Sequence, residues 1–564
     1  MFRPIRGCSQ TDMAAMKWWG WGLVGAEFTH GDKPDLGPFF KQALGLDIEA
    51  ATAAPIRVED LQIPEPRLPD GLRAALEQAV TAAFLSVDPL DRVVHARGKS
   101  LRDLIRQRRG ELPRLPDAVV RPRSEDEVTA LLRAAVSADA VVIPFGGGSS
   151  ISGSLEAHVT ETRPVISVDL VRLDKVLAID ANSRLARVQA GVFGPHLELQ
   201  LGAQGYTLGH FPDSFVHSTL GGWIATRSSG MQSDRYGDIA DMTKGLRVVT
   251  PSGTLVTRPV PTTSTGPSVR DMVLGSEGRL GLITEATVHV HQISERRTIL
   301  GYLFPDFAAG LAAMRDIAAS ECSVSVTRVS DAHETRFSFA MRKCPTLVDK
   351  LQSRALRTFV QRRLGYDLRQ MCLSFIGYEG SEGHVTAQRR AVGKVVGRHG
   401  GLCVGSGPGT LYDQKKFDTP HIRDFLLDRG AAADVSETAM PWSRLMPVYD
   451  AVTAAAHGAF AELGVQGYLM CHLSHSYHAG ACLYFTFGFQ PAPSSDMIVS
   501  YDVVKSAIQQ AFVDNGATLS HHHAVGTEHA QWLEQDISAP GVTMLEALFE
   551  GTDPGKHLNP GKIV

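Results

Sequence analysis

The chain has 564 residues, of which 43% are hydrophobic and 21% charged, with a formal net charge of −4. That length predicts three or four units of structure, and the charge gives no electrostatic reason to expect nucleic acid as a partner. Cys8, Cys322, Cys344, Cys372, Cys403, Cys471 and Cys482 are scattered and never spaced Cys-x-x-Cys, which points to a reducing compartment and away from disulfide or zinc frameworks.

No apolar run reaches the length of a membrane span. The first residues, Met1-Phe2-Arg3-Pro4-Ile5-Arg6, lack the apolar stretch of a signal peptide. The last four, Gly561-Lys562-Ile563-Val564, are not a peroxisomal address. A cytoplasmic protein is expected.

In chain order, Trp18-Trp19-Gly20-Trp21-Gly22 reads as an arm whose rings pin it onto a larger domain. Residues 31–113 follow a proline-rich linker and look mostly helical, with helical apolar spacing over 72–80. Arg97-Gly98-Lys99-Ser100 lacks the strand and glycine loop of a phosphate motif and is expected at the surface. From Pro116 a strand is predicted. Ser124-Glu125-Asp126-Glu127 then opens a helix with a capping-box pattern.

The next run, Val141-Val142-Ile143-Pro144-Phe145, is a buried strand by its β-branched residues. It turns abruptly into Gly146-Gly147-Gly148-Ser149-Ser150. Glycines allow close backbone approach, and successive N–H groups with serine hydroxyls make a concavity for anionic oxygen. A P-loop would need Lys-Ser/Thr, and a dinucleotide loop G-x-G-x-x-G. Neither spacing is present, so the loop reads as another kind of pyrophosphate cradle or as a plain turn. Further strands are predicted near 165–170, 176–179, 186–190, 246–249 and 283–290. Between them lie Gly209-His210-Phe211-Pro212-Asp213-Ser214 and Thr219-Leu220-Gly221-Gly222-Trp223, and the block closes with Gly275-Ser276-Glu277-Gly278-Arg279-Leu280-Gly281. Residues 296–515 begin with strands, continue with helices, and regain strands near 372–378 and 483–489.

Strand, triple-glycine loop, Pro-Asp-Ser, Gly-Gly-Trp and Gly-Ser-Glu-Gly-x-Leu-Gly in register resemble the FAD-binding half of vanillyl-alcohol-oxidase-type flavoproteins. The resemblance implies an α+β fold: a two-part FAD-binding domain of that type plus an α+β cap. The divisions it suggests are an N-terminal arm and helical region over 1–111, the FAD domain over 112–293, the cap over 294–515, and a C-terminal active-site segment over 516–564 that returns to the FAD domain. Implied FAD contacts are Pro144, Phe145, Gly146, Gly147, Gly148, Ser149 and Ser150; Pro212, Asp213, Ser214, Phe215, Val216, His217 and Ser218; Thr226, Arg227, Ser228 and Ser229; and Glu277, Gly278, Arg279, Leu280, Gly281, Leu282 and Ile283. Covalent relatives carry a histidine in the glycine loop. Here it is replaced by Ser149 and Ser150, so noncovalent FAD is expected.

Two branches of that class compete. Dehydrogenases of D-2-hydroxy acids carry His-x-x-Gly-Asp-Gly-Asn-x-His and a later Glu-His-Gly segment for a metal. Here Tyr484 stands at the second histidine, the Gly-Asp-Gly-Asn core is missing, and a histidine replaces the glutamate. The other branch is the alkyldihydroxyacetonephosphate synthase family, which the chain resembles over nearly its full length. The resemblance is carried by Lys17–Gly22, Gly209–Ser214, Arg235-Tyr236-Gly237-Asp238-Ile239, Thr327-Arg328-Val329-Ser330-Asp331, Ile422-Arg423-Asp424, 479–485 and His521-His522-His523.

That resemblance implies exchange of the acyl group of acyl-dihydroxyacetone phosphate for a long-chain fatty alcohol, the ether-bond step of ether lipids, with flavin N5 as a covalent partner. Tyr484 matches the family's catalytic tyrosine, Arg328 an arginine needed for activity, and Arg423 the substrate-binding arginine. His521, His522 and His523 are assigned to the active site, with no metal. A tyrosine base needs cations or donors to stabilise phenolate, and the histidine run and Arg328 are expected to supply them. The lipid substrates imply peripheral membrane contact, and a homodimer is left open. The alternative is an FAD-dependent oxidase or dehydrogenase of a hydroxy acid or alcohol.

Overall fold

The computed structural model describes residues 16–50, 53–343, 347–415, 417 and 420–564. The N-terminal Met1–Arg6 segment, Cys8 and Cys344 lie outside the described residues.

Two sheets build the first half. A four-stranded sheet has the order Leu85–Ser86, Ala118–Val120, Val165–Asp169, Val141–Phe145, and its last three strands run parallel. Val165–Asp169 is buried at every position, as expected of a strand covered on both faces. Helix Glu125–Ser137 covers it, with Ser124 accepting from the Glu127 N–H. A five-stranded antiparallel sheet follows: Val176–Asp180, Leu185–Gln189, Leu282–His289, Thr243–Thr250, Gly253–Val256. The strands anticipated near 165–170, 176–179, 186–190, 246–249 and 283–290 all form. The N-terminal region also contributes the edge pair Leu85–Ser86, and Leu558 bridges to Val142, so the C-terminus returns to the strand that carries the glycine loop.

The second half is a seven-stranded antiparallel sheet in the order Leu402–Gly405, Arg296–Phe304, Cys372–Gly380, Val326–Ser330, Gly467–Ser476, Gly480–Phe489, Ala432–Pro441. Helices Phe307–Ala318, Glu382–Arg398, Leu445–Glu462 and Met497–Asp514 bury their apolar stripes on one face of it, forming the largest core. The other face shares a cavity with the sheets of the first half. No helix among the described residues is long and apolar enough to cross a membrane.

One surface expectation fails. Arg97, Lys99 and Ser100 are buried, and a Cβ on Gly98 would lie 2.3 Å from the Ser150 carbonyl oxygen. The segment is wedged under the glycine loop. Lys99 donates to the Lys17 carbonyl at 2.6 Å, which also fastens the arm. The missing strand and glycine loop of a phosphate motif had left the segment at the surface, but contacts with Ser150 and Lys17 bury it.

Candidate active site

The strand Val141–Phe145 delivers its loop into one cavity of about 1040 Å³. A Cβ on Gly147 would lie 1.9 Å from the His217 carbonyl oxygen, so the loop backbone packs on the 217–219 segment with no room for a side chain. Gly148 adopts a φ of +65°, which lets the chain reverse at small cost. Pro144 to Ser150 all line the cavity. So do Pro212, Asp213, Ser214, Ser218, Thr226, Ser228, Ser229, Glu277, Gly278, Gly281 and Ile283.

The remaining residues assigned to FAD do not line it. Phe215 and Leu280 are core side chains of the second sheet, and Leu282 packs into the core of the first. Val216 packs against the core of the second sheet, and the His217 ring meets Trp21 edge-on. Arg227 caps its helix in the left-handed region and points to solvent. Arg279 donates to the Lys562 carbonyl at 2.8 Å and lies over Phe549. A motif read as a block cannot show which members alternate into the core. Glu277 has a structural task as well: it accepts from Ser154 Oγ at 2.5 Å and from the Val525 and Gly526 N–H groups, both at 2.9 Å. That latch fastens the histidine-bearing segment beside the glycine loop.

On the cap side, Tyr484 pairs with Glu437 on one neighbouring strand and with His472 on the other. Cross-strand partners share a face, so the three form a row. A bulge between Leu473 and His475 then turns His475 onto the face of Cys482 and Tyr484. The Tyr484 ring lies between two imidazoles: His472 at 4.9 Å and 22°, and His522 at 5.9 Å and 17°. His523 meets it edge-on at 5.5 Å. Arg328 donates to Glu334 Oε1 at 2.8 Å, and His472 Nδ1 lies 3.0 Å from the same oxygen. Arg423 lines the cavity 3.7 Å from Asp434, its Nε buried without a hydrogen-bond partner among the described residues.

Tyr484, Arg328, Arg423, His522 and His523 therefore come together around one cavity, while His521 lies behind it. Sequence reasoning missed Glu334, Glu437, Asp434, His472 and His475. It also missed that the arm builds a wall: Trp21, Phe28, Phe39, Phe40, Ala43 and Leu44 line the cavity with Phe337, Leu426 and Tyr468. The arm is held there by the Trp21 N–H, which donates to Asp424 Oδ2 at 2.8 Å, and by Lys17 at 3.6 Å from the same oxygen. Helix Leu36–Leu44 turns Leu36, Phe40, Ala43 and Leu44 inward and ends at Gly45 in the left-handed region.

The electrostatics correct one expectation. Burial holds His472 down at about 4 and pushes His522 well below, and His523 below, the usual histidine range. These rings are neutral near pH 7 and supply no cations. Burial raises the Tyr484 phenol well above its ordinary value, Asp213, Glu437 and Asp434 push it further, and Arg328 opposes them. The free site thus holds a protonated phenol. Arg328 itself stays charged: burial works against it, but Glu334, Tyr412 and Asp213 together more than offset the loss.

Nitrogens of His475, His521 and His522 and the Cys482 sulfur lie within 4.8 Å of one another, a donor set that zinc accepts. The His475 nitrogens already face Ser474 Oγ at 2.8 Å and the Gly230 carbonyl at 3.0 Å. Those of His521 face Tyr477 and His522. The cluster is wired as a hydrogen-bond network.

Comparison with known proteins now identifies the class. The description "FAD binding domain" fits residues 116–258, and "FAD linked oxidases, C-terminal domain" fits 293–563. Alkyldihydroxyacetonephosphate synthase of Dictyostelium discoideum is 36% identical over 97% of this chain and 93% of its own length. This chain belongs to the alkyldihydroxyacetonephosphate synthase family. A solved alkyldihydroxyacetonephosphate synthase superposes with a TM-score of 0.85 at 34% identity, covering 98% of this chain and 99% of that one. The fold alone is shared with p-cresol methylhydroxylase, at a TM-score of 0.64 and 14% identity. The architecture is therefore the two-part FAD domain with an α+β cap, and FAD is the cofactor. The cradle fits it: a loop closed to side chains, flanked by Ser149 and Ser150, at one end of the cavity.

The buried histidines have a consequence for stability. Burial holds His210 and His529 at about 3, and His217, His291, His333 and His472 at about 4. Unfolded histidines titrate near 6.5. Between about 4 and 6.5 the unfolded chain binds more protons at these six sites, so stability falls as pH drops through that window. Asp103 at about 6, and Asp331 and Glu528 at about 7, raised by burial, and His95, raised to about 9 by Asp169 and Asp91 against its burial, act in the opposite sense, but they are four against six. The melting temperature is expected to fall between pH 7 and pH 5, and a flat or rising value in differential scanning fluorimetry would contradict this.

Proposed function

We propose that the enzyme replaces the acyl group of acyl-dihydroxyacetone phosphate with a long-chain fatty alcohol, giving alkyl-dihydroxyacetone phosphate and free fatty acid. The observation that carries this is the continuity of the cavity. It starts at the glycine cradle, passes Tyr484 and Arg423, and continues between helix Leu36–Leu44 and the cap along Phe28, Phe39, Phe40, Phe337 and Leu426. One end suits a pyrophosphate, the middle a small phosphorylated ketone, and the far wall a hydrocarbon chain.

In this scheme Arg423 holds the substrate phosphate, since a buried guanidinium gives directed donors to phosphate oxygens. Arg328 offsets negative charge that develops beside Tyr484. Tyr484 removes a proton from carbon 1 of the ketone, the step that loosens the acyl group. Pro144–Ser150, with the lining members of 212–229 and 277–283, hold FAD without a covalent link to a loop histidine. When bound, FAD supplies a covalent partner for the carbon fragment, with no net electron transfer. Phe28, Phe39 and Phe40 exclude water around the chain. The acyl donor and the alcohol both partition into bilayers, which places a cytoplasmic enzyme of this kind at a membrane surface.

The test is incubation with acyl-dihydroxyacetone phosphate and hexadecanol, read by mass. Ether product and fatty acid are expected without added electron acceptor or oxygen uptake, and acid precipitation should leave the flavin in the supernatant. Brisk dye reduction by D-lactate without ether product would instead support the oxidase reading that the missing Gly-Asp-Gly-Asn segment argues against.

A further inference from the structure

A chain of polar contacts runs from the cavity wall into the protein. His522 Nδ1 lies 2.9 Å from His521 Nδ1, and His521 Nε2 lies 2.6 Å from the Tyr477 oxygen. The Tyr477 hydroxyl donates to Asp238 Oδ2 at 2.7 Å. Asp238 stands at the N-terminus of helix Ile239–Met242, and Tyr477 in the turn joining strands Gly467–Ser476 and Gly480–Phe489. Neither lines the cavity.

Counting protons along this chain fixes its direction. An ionised carboxylate only accepts, so Tyr477 gives its single proton to Asp238, the stronger, charge-assisted bond. The Tyr477 oxygen is then left to accept from His521 Nε2–H. With the His521 ring proton committed to Tyr477 through Nε2, its Nδ1 is left to accept, and the proton in the 2.9 Å contact is that of His522 Nδ1. Glu437 agrees from the other side. Its carboxylate, 3.5 Å from His522 Nδ1, also favours a proton there. The same carboxylate accepts from the N–H groups of His521 at 2.8 Å and of His522 and His523 at 3.0 Å, and from Ser520 Oγ at 2.8 Å, so the backbone carrying the rings is fixed too.

We propose that Asp238, Tyr477 and His521 are positioning residues that hold His522 with its proton on Nδ1 and a lone pair on Nε2, beside Tyr484. Other groups facing His522 are Glu437, His475, Cys482 and His523. The lone pair makes His522, which lines the cavity with its ring stacked 5.9 Å from that of Tyr484, an acceptor rather than a donor towards the site. What the lone pair serves rests on the synthase reading. The tautomer does not.

The experiment compares wild type, Tyr477→Phe and Asp238→Asn as FAD-loaded enzymes. Nitrogen-15 shifts of labelled histidines report which His522 nitrogen is protonated, with His522→Asn for assignment. Wild type should show a protonated Nδ1 and a bare Nε2. Tyr477→Phe removes the acceptor for His521, and Asp238→Asn removes the charge that orders the chain. Asn caps helices as well as Asp, so Asp238→Asn carries the test if Tyr477→Phe does not fold. Each folded variant should show mixed His522 tautomers and a kcat lower by about 10-fold or more, part of the about 10²–10⁴-fold attributed to a positioned base. KM for the acyl substrate should stay within about twofold, because Arg423 is untouched. A wild-type His522 protonated on Nε2, or folded variants with wild-type kcat and shifts, would overturn the proposal. A wild type that makes no ether lipid but shows the predicted shifts would sink the functional reading and leave the tautomer standing.

Discussion

Tyr484→Phe is expected to lower turnover by about 10²–10⁴-fold, the usual contribution of a positioned general base, while leaving FAD content and melting temperature near wild type. The substitution removes one oxygen and keeps the ring. The packing between His472 and His522, at 4.9 and 5.9 Å, is preserved, and the glycine cradle belongs to the other half of the molecule. Exchange of solvent deuterium into carbon 1 of the acyl substrate isolates the proton-removal step from alcohol attack. A Tyr484→Phe enzyme that exchanges at the wild-type rate would remove the phenol from the chemistry and return it to a packing role in the sheet.

Gly147→Ala should purify colourless, or with far less flavin than wild type, and with a lowered melting temperature. The added Cβ would lie 1.9 Å from the His217 carbonyl oxygen and 2.6 Å from its carbonyl carbon. Both are backbone atoms, so relief requires the loop and the 217–219 segment to separate. Overpacking of this kind typically costs about 1–3 kcal/mol, occasionally more, and here the movement displaces the cradle itself. Gly393→Ala, in helix Glu382–Arg398 with nothing within 4 Å of the added atom, is the matched control. It should hold its flavin and gain slightly in stability, as a helical glycine replaced by alanine does. Wild-type flavin content and melting temperature in Gly147→Ala would show that the loop is not the closed cradle described.

Resemblance to the synthase family marked Tyr484, Arg328, Arg423 and the histidine run; the sequence by itself determined the strand leading into the glycine loop and the strands of the second sheet. These signals are local. A β-branched run, a triple glycine or a run of three histidines is complete within a few residues, and period-2 alternation shows a strand's faces directly. What surrounds Tyr484 was decided only by tertiary structure. Glu437 and His472 flank it through strand pairing across 47 and 12 positions of chain. His475 reaches the site only because a bulge shifts the face on which it falls, and bulges leave no fixed mark in a sequence. The charge states were equally hidden: of the cations or donors expected beside the phenol, His522 and His523 are held below the usual histidine range, because burial, which depends on the whole fold, outweighs their neighbours. The arm shows the same division. Its tryptophans announced a docking segment, but Asp424, 403 residues from Trp21, decided that it docks as a wall of the cavity. Residue type sets what a side chain can do. Which groups it does it with depends on contacts between distant parts of the chain, and those form only when the sheets pack.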